Sequence, residues 1–245
     1  MIRNVVNWHE YLLHKVGVRS RNRFVFRLRA GIEVDVPREM LFTFKEVFFT
    51  DDYIRGLPAG LFGRKPITVV DVGANAGYFS LFAFARFPGA RVIALEPIDT
   101  NFRLLEKNRE LNRELDWTLV QRAVSSTPGK IVLSMSPDDT FTTDATVFDN
   151  ERGNKRVEVE AVSLAQVMDD HAIGEIDYLK LDCEGSEYEI LYEAPADVLD
   201  RVRTIVVETH PGPGPMQNRD ALAGHLKSVG YSLVTEPGAF IWAWR

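Results

Sequence analysis

The sequence predicts an α/β fold, a mainly parallel sheet with helices on both faces, and three observations carry that prediction. The run ITVVDV (67–72) is continuously apolar at its centre rather than alternating, and DYLKLD (177–182) and RTIVVET (203–209) read as two further buried strands. Such runs suit strands covered on both faces. Segments with helical spacing separate the strand-like runs, and repeated strand–helix alternation builds a parallel sheet. The chain ends on two strand-like stretches, YSLVTE and AFIWAWR, around Pro237-Gly238, which predicts an antiparallel hairpin at one edge.

Taken in order, the residues before Phe24 read as a short amphipathic helix with a basic tail. FVFRLRAGIEVDVP (24–37) alternates on either side of Ala30-Gly31, as two short strands with a tight turn would. The aromatic-rich run from Arg38 to Ile54 reads as a helix whose phenylalanines are core. After Pro66 come a strand (67–72), a glycine turn, a helix (76–87) and a strand (90–97). TNFRLLEKNRELN then forms an amphipathic helix with Phe102, Leu104, Leu105 and Leu111 as its apolar side. A third strand is expected over 117–124, followed later by an alternating one over 156–164. A helix over 186–194 lies between DYLKLD and RTIVVET. NRDALAGHLKSVG closes the series, with Gly230 placed as its C-cap. Residues 1–60 are thus expected as an extension packing on a core of residues 61–245. One polar, turn-rich stretch, about 134–156, is too long for an ordinary connection and reads as a lid or substrate loop, or as a surface excursion.

Bulk properties narrow the function. With 245 residues, 45% hydrophobic and 26% charged, the chain can build a sizeable core. A net charge of −6 argues against a broad nucleic-acid face. A single cysteine, Cys183, excludes an internal disulfide and a multi-cysteine zinc site. The first residues lack a signal-peptide core and no segment is apolar enough to span a membrane, so a cytoplasmic protein is expected.

VVDVGANAGYFS (69–80) carries the first chemical information. A dinucleotide turn needs glycines at positions 75 and 78, where a pyrophosphate approaches the backbone; here stand Asn75 and Tyr78. The pattern Asp71-x-Gly73-x-Asn75-x-Gly77 instead favours a cofactor without phosphates, and S-adenosylmethionine suits it. Gly73 and Gly77 let the turn run close to that cofactor, with Ala74 between Gly73 and Asn75. Asp71 can accept from its amino group, directly or through water. Glu96, followed by Pro97, ends the next strand, where a carboxylate offers two acceptors to a ribose diol.

Together VVDVGANAGYFS, IALEP, DYLKLDCEGSEYEIL and VVETH resemble the FkbM-type S-adenosylmethionine-dependent methyltransferases over roughly residues 42–210, most specifically at LDCEGSE (181–187). The resemblance implies the seven-stranded class I methyltransferase fold and methylation of a hydroxyl on a small molecule, sugar or glycan. It also implies a cofactor site at Asp71, Gly73, Asn75, Gly77 and Glu96, with Ala123 against the adenine and Asp182 beside the reactive end.

Losing a proton makes an alcohol a better nucleophile, so a base is sought at the carboxyl ends of the strands. His210 is the first candidate, because an imidazole near pKa ~6.5 accepts protons at neutral pH; the alternative is a surface histidine. Asp182 can be a base or an orienting group, and Glu208 can hydrogen-bond substrate or take part in catalysis. Glu184 and Glu187 either join them or stabilise the following helix start. Asp182, Glu208 and His210 are a plausible metal set, but no compact ligand motif supports one, so no metal is expected. Methyl transfer to nitrogen, a nucleotide-dependent dehydrogenase and an inactive binding protein are the alternatives. The expected partner is a hydroxyl acceptor, with neither nucleic acid nor membrane, and a homodimer is left open.

Overall fold

The computed structural model describes residues 5–18, 21–63, 66–136, 141, 145–147, 155–236 and 238–245. Helix α1 (His9–Lys15) precedes the hairpin β1 (Arg23–Arg27) and β2 (Glu33–Pro37), and a 3-10 turn (Arg38–Met40) leads into α2 (Leu41–Phe49). Then follow β3 (Thr68–Val72), α3 (Tyr78–Arg86), β4 (Arg91–Leu95), α4 (Asp99–Leu111) and β5 (Trp117–Val120). Next come β6 (Ala123–Val124), β7 (Gly129–Met135), β8 (Lys155–Val162) and α5 (Leu164–Asp170). The chain finishes with β9 (Tyr178–Leu181), α6 (Glu187–Glu193), α7 (Ala196–Leu199), β10 (Thr204–Glu208), α8 (Arg219–Ser228), β11 (Ser232–Thr235) and β12 (Phe240–Trp244).

Seven strands form the main sheet in the order β11-β12-β10-β9-β3-β4-β5. β10, β9, β3, β4 and β5 run parallel, whereas β12 is antiparallel to both β10 and β11. The C-terminal hairpin therefore docks through its second strand, leaving β11 as the edge. Of the turn expected there, Pro237 lies outside the described residues. Strand order leaves β3 toward β4 and β5 and returns on its other side at β9. This reversal opens a crevice beyond the carboxyl ends of β3 and β9, where ligands bind in such sheets.

Both faces of the sheet are covered. On one, Val69, Val92, Tyr178, Val206 and Trp242 pack with the N-terminal extension in one continuous core. Phe26 stacks on Phe44 with ring centroids 4.3 Å apart, and Phe44 meets Tyr78 of α3 edge-on. On the other, Val70, Ile93, Leu179 and Val207 pack under α5, α6 and α8.

Two asparagines tie the extension to this framework. Asn112 Oδ1 accepts from the Glu33 amide at 3.0 Å while its Nδ2 donates to the Glu33 carbonyl at 2.8 Å. One helical turn earlier, Asn108 accepts from the Asp35 amide at 2.8 Å and donates to the Ala76 carbonyl, also at 2.8 Å. Spaced i, i+4 on α4, they act as a surrogate strand for the free edge of β2. The buried Asp35 carboxylate is met by Arg23 at 2.5 Å and Lys107 at 2.9 Å.

One expectation is corrected here. A single strand over 117–124 is not formed: Gln121-Arg122 breaks it, and β6 joins a separate three-stranded sheet, β6-β8-β7. The polar stretch 134–156 is flanked by β7 and β8, which pair antiparallel from Gly129↔Ala161 to Met135↔Lys155. Most of that stretch lies outside the described residues; its residues 145–147 bridge back to Ser134. Among the described residues, no helix is long and apolar enough to cross a membrane.

Candidate active site

The glycine turn follows β3 at the crevice. Gly73, Asn75 and Gly77 have φ of 72°, 50° and 81°. This left-handed region costs glycine little and asparagine less than most residues. The Gly73 and Ala74 amides donate to the Leu95 carbonyl at 3.0 and 2.9 Å, fixing the turn to the end of β4. A Cβ on Gly73 would stand 1.8 Å from the Asp182 carbonyl oxygen, so only glycine lets the two loops of the crevice touch. On Gly77 it would stand 2.5 Å from Leu105 and 2.6 Å from Trp117. Gly77 thus lets the turn pack closely against Leu105 and Trp117.

Asp71, expected to accept from the cofactor's amino group directly or through water, lies on β3. Fully buried behind the turn, it accepts from Ser80 Oγ at 2.7 Å and faces Lys180 Nζ at 3.2 Å. Lys180, itself buried on β9, donates to the Gly73 and Val72 carbonyls at 2.7 and 3.2 Å and pairs with Asp182 at 3.5 Å. Burial alone would lower its pKa, but Asp71 and Asp182 hold it above the ordinary lysine value. Lys180 therefore ties together the turn, Asp71 and Asp182.

A cleft of about 310 Å³ opens in front of these groups. Toward β4 and β5 it is lined by Ala74, Asn75, Glu96, Pro97 and Ala123, and toward β9 and β10 by Asp182, Glu208 and His210. Glu96 is buried; Oε2 accepts from the Asn75 amide and Oε1 from the Ile98 amide, both at 2.8 Å. Burial outweighs these donors and raises its pKa to about 7. Asn101 also hydrogen-bonds the carboxylate, which still has acceptor capacity for a ligand.

The opposite end is a cluster of acids around one imidazole. Asp182 accepts from Tyr53 Oη at 3.3 Å. The fully buried Glu187 accepts from the Gly185 amide at 2.8 Å and the His210 amide at 2.7 Å, and lies 3.3 Å from His210 Nδ1. With Nδ1 so held, Nε2 faces Glu184 at 3.5 Å and Asp182 at 3.8 Å. Burial opposes a charge on this ring, but Glu187, Glu184 and Asp182 raise its pKa to about 9. The ordinary imidazole value on which His210 is expected as a base is therefore corrected: at neutral pH the ring is an imidazolium. Burial and the nearby Asp182 raise Glu208 to about 8. Asp182, Glu184 and His210 each bring one atom within 4.8 Å of the others, whereas Glu208 is not part of that grouping. The imidazolium already joins these groups, and we assign no ion to them.

The sequence reading gives no role at this site to Lys180, Tyr53 or the α2 face of Phe42, Thr43 and Glu46, all of which line the cleft. A lysine inside DYLKLD was the available signal, since a lone charge in a buried strand must find partners. Phe42 is 64% exposed with Lys45 Nζ 4.7 Å above its ring, unlike the buried Phe44 and Phe48; helical phase separates the two sets.

Comparison with known proteins supplies the lineage. Residues 71–233 match the methyltransferase FkbM domain. Methyltransferase sdnD of Sordaria araneosa is 28% identical over 229 residues, covering 81% of this chain and 84% of that protein. The 31-O-demethyl-FK506 methyltransferase FkbM of Streptomyces tacrolimicus is 30% identical over 225 residues, again covering 81% and 84%. Among solved structures, a methyltransferase FkbM from Methylobacillus flagellatus superposes with a TM-score of 0.51 at 15% identity, covering 74% of this chain and 44% of that one. That likeness shows the fold, the class I methyltransferase sheet.

Proposed function

Because the chain belongs to the methyltransferase FkbM family, we propose that it methylates a hydroxyl oxygen of a small molecule, sugar or glycan. S-adenosylmethionine is the cofactor, and it supplies the methyl group on a sulfonium that an oxygen nucleophile can attack.

The observation that carries the reading is the division of the cleft along the sheet. Glu96, with both oxygens fixed by backbone amides, stands at one end, and the Asp182–Glu184–His210 group stands two to three strands away at the other. In this reading Glu96 accepts from the ribose diol, Ala123 and Pro97 border the adenine, and Ala74 and Asn75 line the path between. The Gly73 turn and Asp182 border the reactive end. Lys180 bridges Asp71 and Asp182 while fixing the Gly73 carbonyl, so the loops are set before any ligand arrives. Alignment of donor and acceptor contributes up to about 7–11 kcal/mol of barrier lowering.

His210 is the proton acceptor in its free-imidazole form, which is the minor state at neutral pH. Its three carboxylates make it a stronger base than an ordinary histidine, and the free imidazole forms as the pH approaches about 9. Such a base contributes about 10²–10⁴-fold. Asp182 and Glu208 orient the acceptor hydroxyl. Methylation at oxygen draws further support from the Streptomyces relative, whose name describes an O-demethyl substrate.

The test is incubation with S-adenosylmethionine carrying a ¹³C methyl group and a metabolite and glycan extract, followed by NMR of the labelled products. Label on oxygen supports the proposal; label on nitrogen replaces it with the N-methyl alternative.

A further inference from the structure

We propose that Thr146, on the connection between β7 and β8, is a positioning residue: by holding the main chain of Glu184 it keeps that carboxylate against His210. The inference rests on the methyl-transfer reading for its relevance to catalysis, but the contacts stand independently of it.

Thr146 is buried, and its backbone is locked to β7: the Ser134 amide donates to the Thr146 carbonyl at 2.8 Å, and the Thr146 amide donates back at 2.9 Å. From this anchored site its hydroxyl donates to the Glu184 carbonyl at 2.6 Å. The Val147 amide reaches the same oxygen at 3.3 Å. Glu184 has φ of 52°, a left-handed conformation that a residue with a Cβ holds only when its surroundings fix it. Two donors converging on its carbonyl are such a fixture. They set the direction of the Glu184 side chain, whose Oε1 lies 3.5 Å from His210 Nε2. Ala145, the preceding residue, lines the cleft itself. The β7–β8 connection and the acid–imidazole cluster thus meet through the Thr146 hydroxyl and the Val147 amide.

The experiment follows the His210 ring protons by NMR across pH in the full chain, without cofactor or acceptor. Its outcome is therefore separate from that of the methyl-transfer proposal. Asp182, Glu187 and Glu208 also face the ring and are left unchanged. The wild-type midpoint is expected near the raised value of about 9, and Glu184→Gln is expected to lower it. Thr146→Val, nearly isosteric but without a donor, should lower the midpoint toward that of Glu184→Gln; Thr146→Ser should keep the wild-type midpoint. In a Glu184→Gln background, Thr146→Val should add nothing, because the two residues act through one contact. Should Thr146→Val fold too poorly for titration, Thr146→Cys, with a weak S–H donor, is expected to titrate between the serine variant and Glu184→Gln. A wild-type midpoint in the valine or cysteine variant overturns the proposal, as does a wild-type midpoint in Glu184→Gln.

Discussion

Replacing Glu96 with Gln is expected to weaken binding of S-adenosylhomocysteine by about 30- to 700-fold at pH 8. Gln keeps the volume and one acceptor oxygen, but places an NH₂ group against either the Asn75 or the Ile98 amide, each of which now donates to a carboxylate oxygen at 2.8 Å. The ribose diol then loses its anionic acceptor. Two hydrogen bonds to a charged group are together worth about 2–4 kcal/mol in this setting, and ~1.4 kcal/mol is a factor of ten. The raised pKa adds a signature of its own. With a value of about 7, Glu96 is about 90% ionised at pH 8 and about 10% at pH 6. Wild-type affinity should therefore fall about tenfold between those pH values, while that of Glu96→Gln stays flat. Isothermal titration of both proteins at both pH values measures all four numbers. Affinity within about threefold of wild type, together with a flat wild-type profile, would show that the ribose sits elsewhere.

Three further outcomes follow from the same geometry. Lys180→Met should cost about 3–5 kcal/mol of stability by denaturant titration, because it leaves the buried Asp71 without its cation; a loss under about 1 kcal/mol would mean that Asp71 does not depend on Lys180. Thermal stability should fall as pH rises from about 6.5 to about 9. Glu208 stays protonated in the fold up to about 8 against an ordinary 4.5, and His210 stays charged up to about 9 against 6.5. The folded state thus holds protons that the unfolded chain releases. Glu208→Gln should flatten that slope and raise the melting temperature at pH 8 by several degrees, and an unchanged slope would contradict the assignment. Asn108→Ala should destabilise the fold by about 2–4 kcal/mol, because it leaves the Asp35 amide and the Ala76 carbonyl without their partner; a change under about 0.5 kcal/mol would contradict the clamp.

What could be read from the sequence was what local pattern encodes. The strand-like runs at 67–72, 177–182 and 203–209 form β3, β9 and β10, and the turn after β3 meets the end of β4 at Glu96. Asp182, Cys183, Glu184 and Ser186 of the DCEGSE loop line the cleft. Features set by distant partners were not legible. Gly77 answers to Leu105 and Trp117, which no local pattern reveals. His210 owes its raised pKa largely to Glu187, 23 residues away. β7 escaped because only its last three residues are buried, leaving neither clean alternation nor a continuous apolar run. The split between β5 and β6 depends on pairing with β8, nearly forty residues downstream by the register Ala123↔Ala161.

The central claim is that one cleft holds the cofactor with its ribose on Glu96 and its reactive end by Asp182 and His210. A crystal structure of the chain with S-adenosylhomocysteine tests this most directly. The account predicts both ribose hydroxyls within hydrogen-bond distance of the Glu96 carboxylate, and the sulfur facing the Asp182–His210 end of the cleft. A ribose bound away from Glu96, or a sulfur pointing toward Ala123, would contradict it.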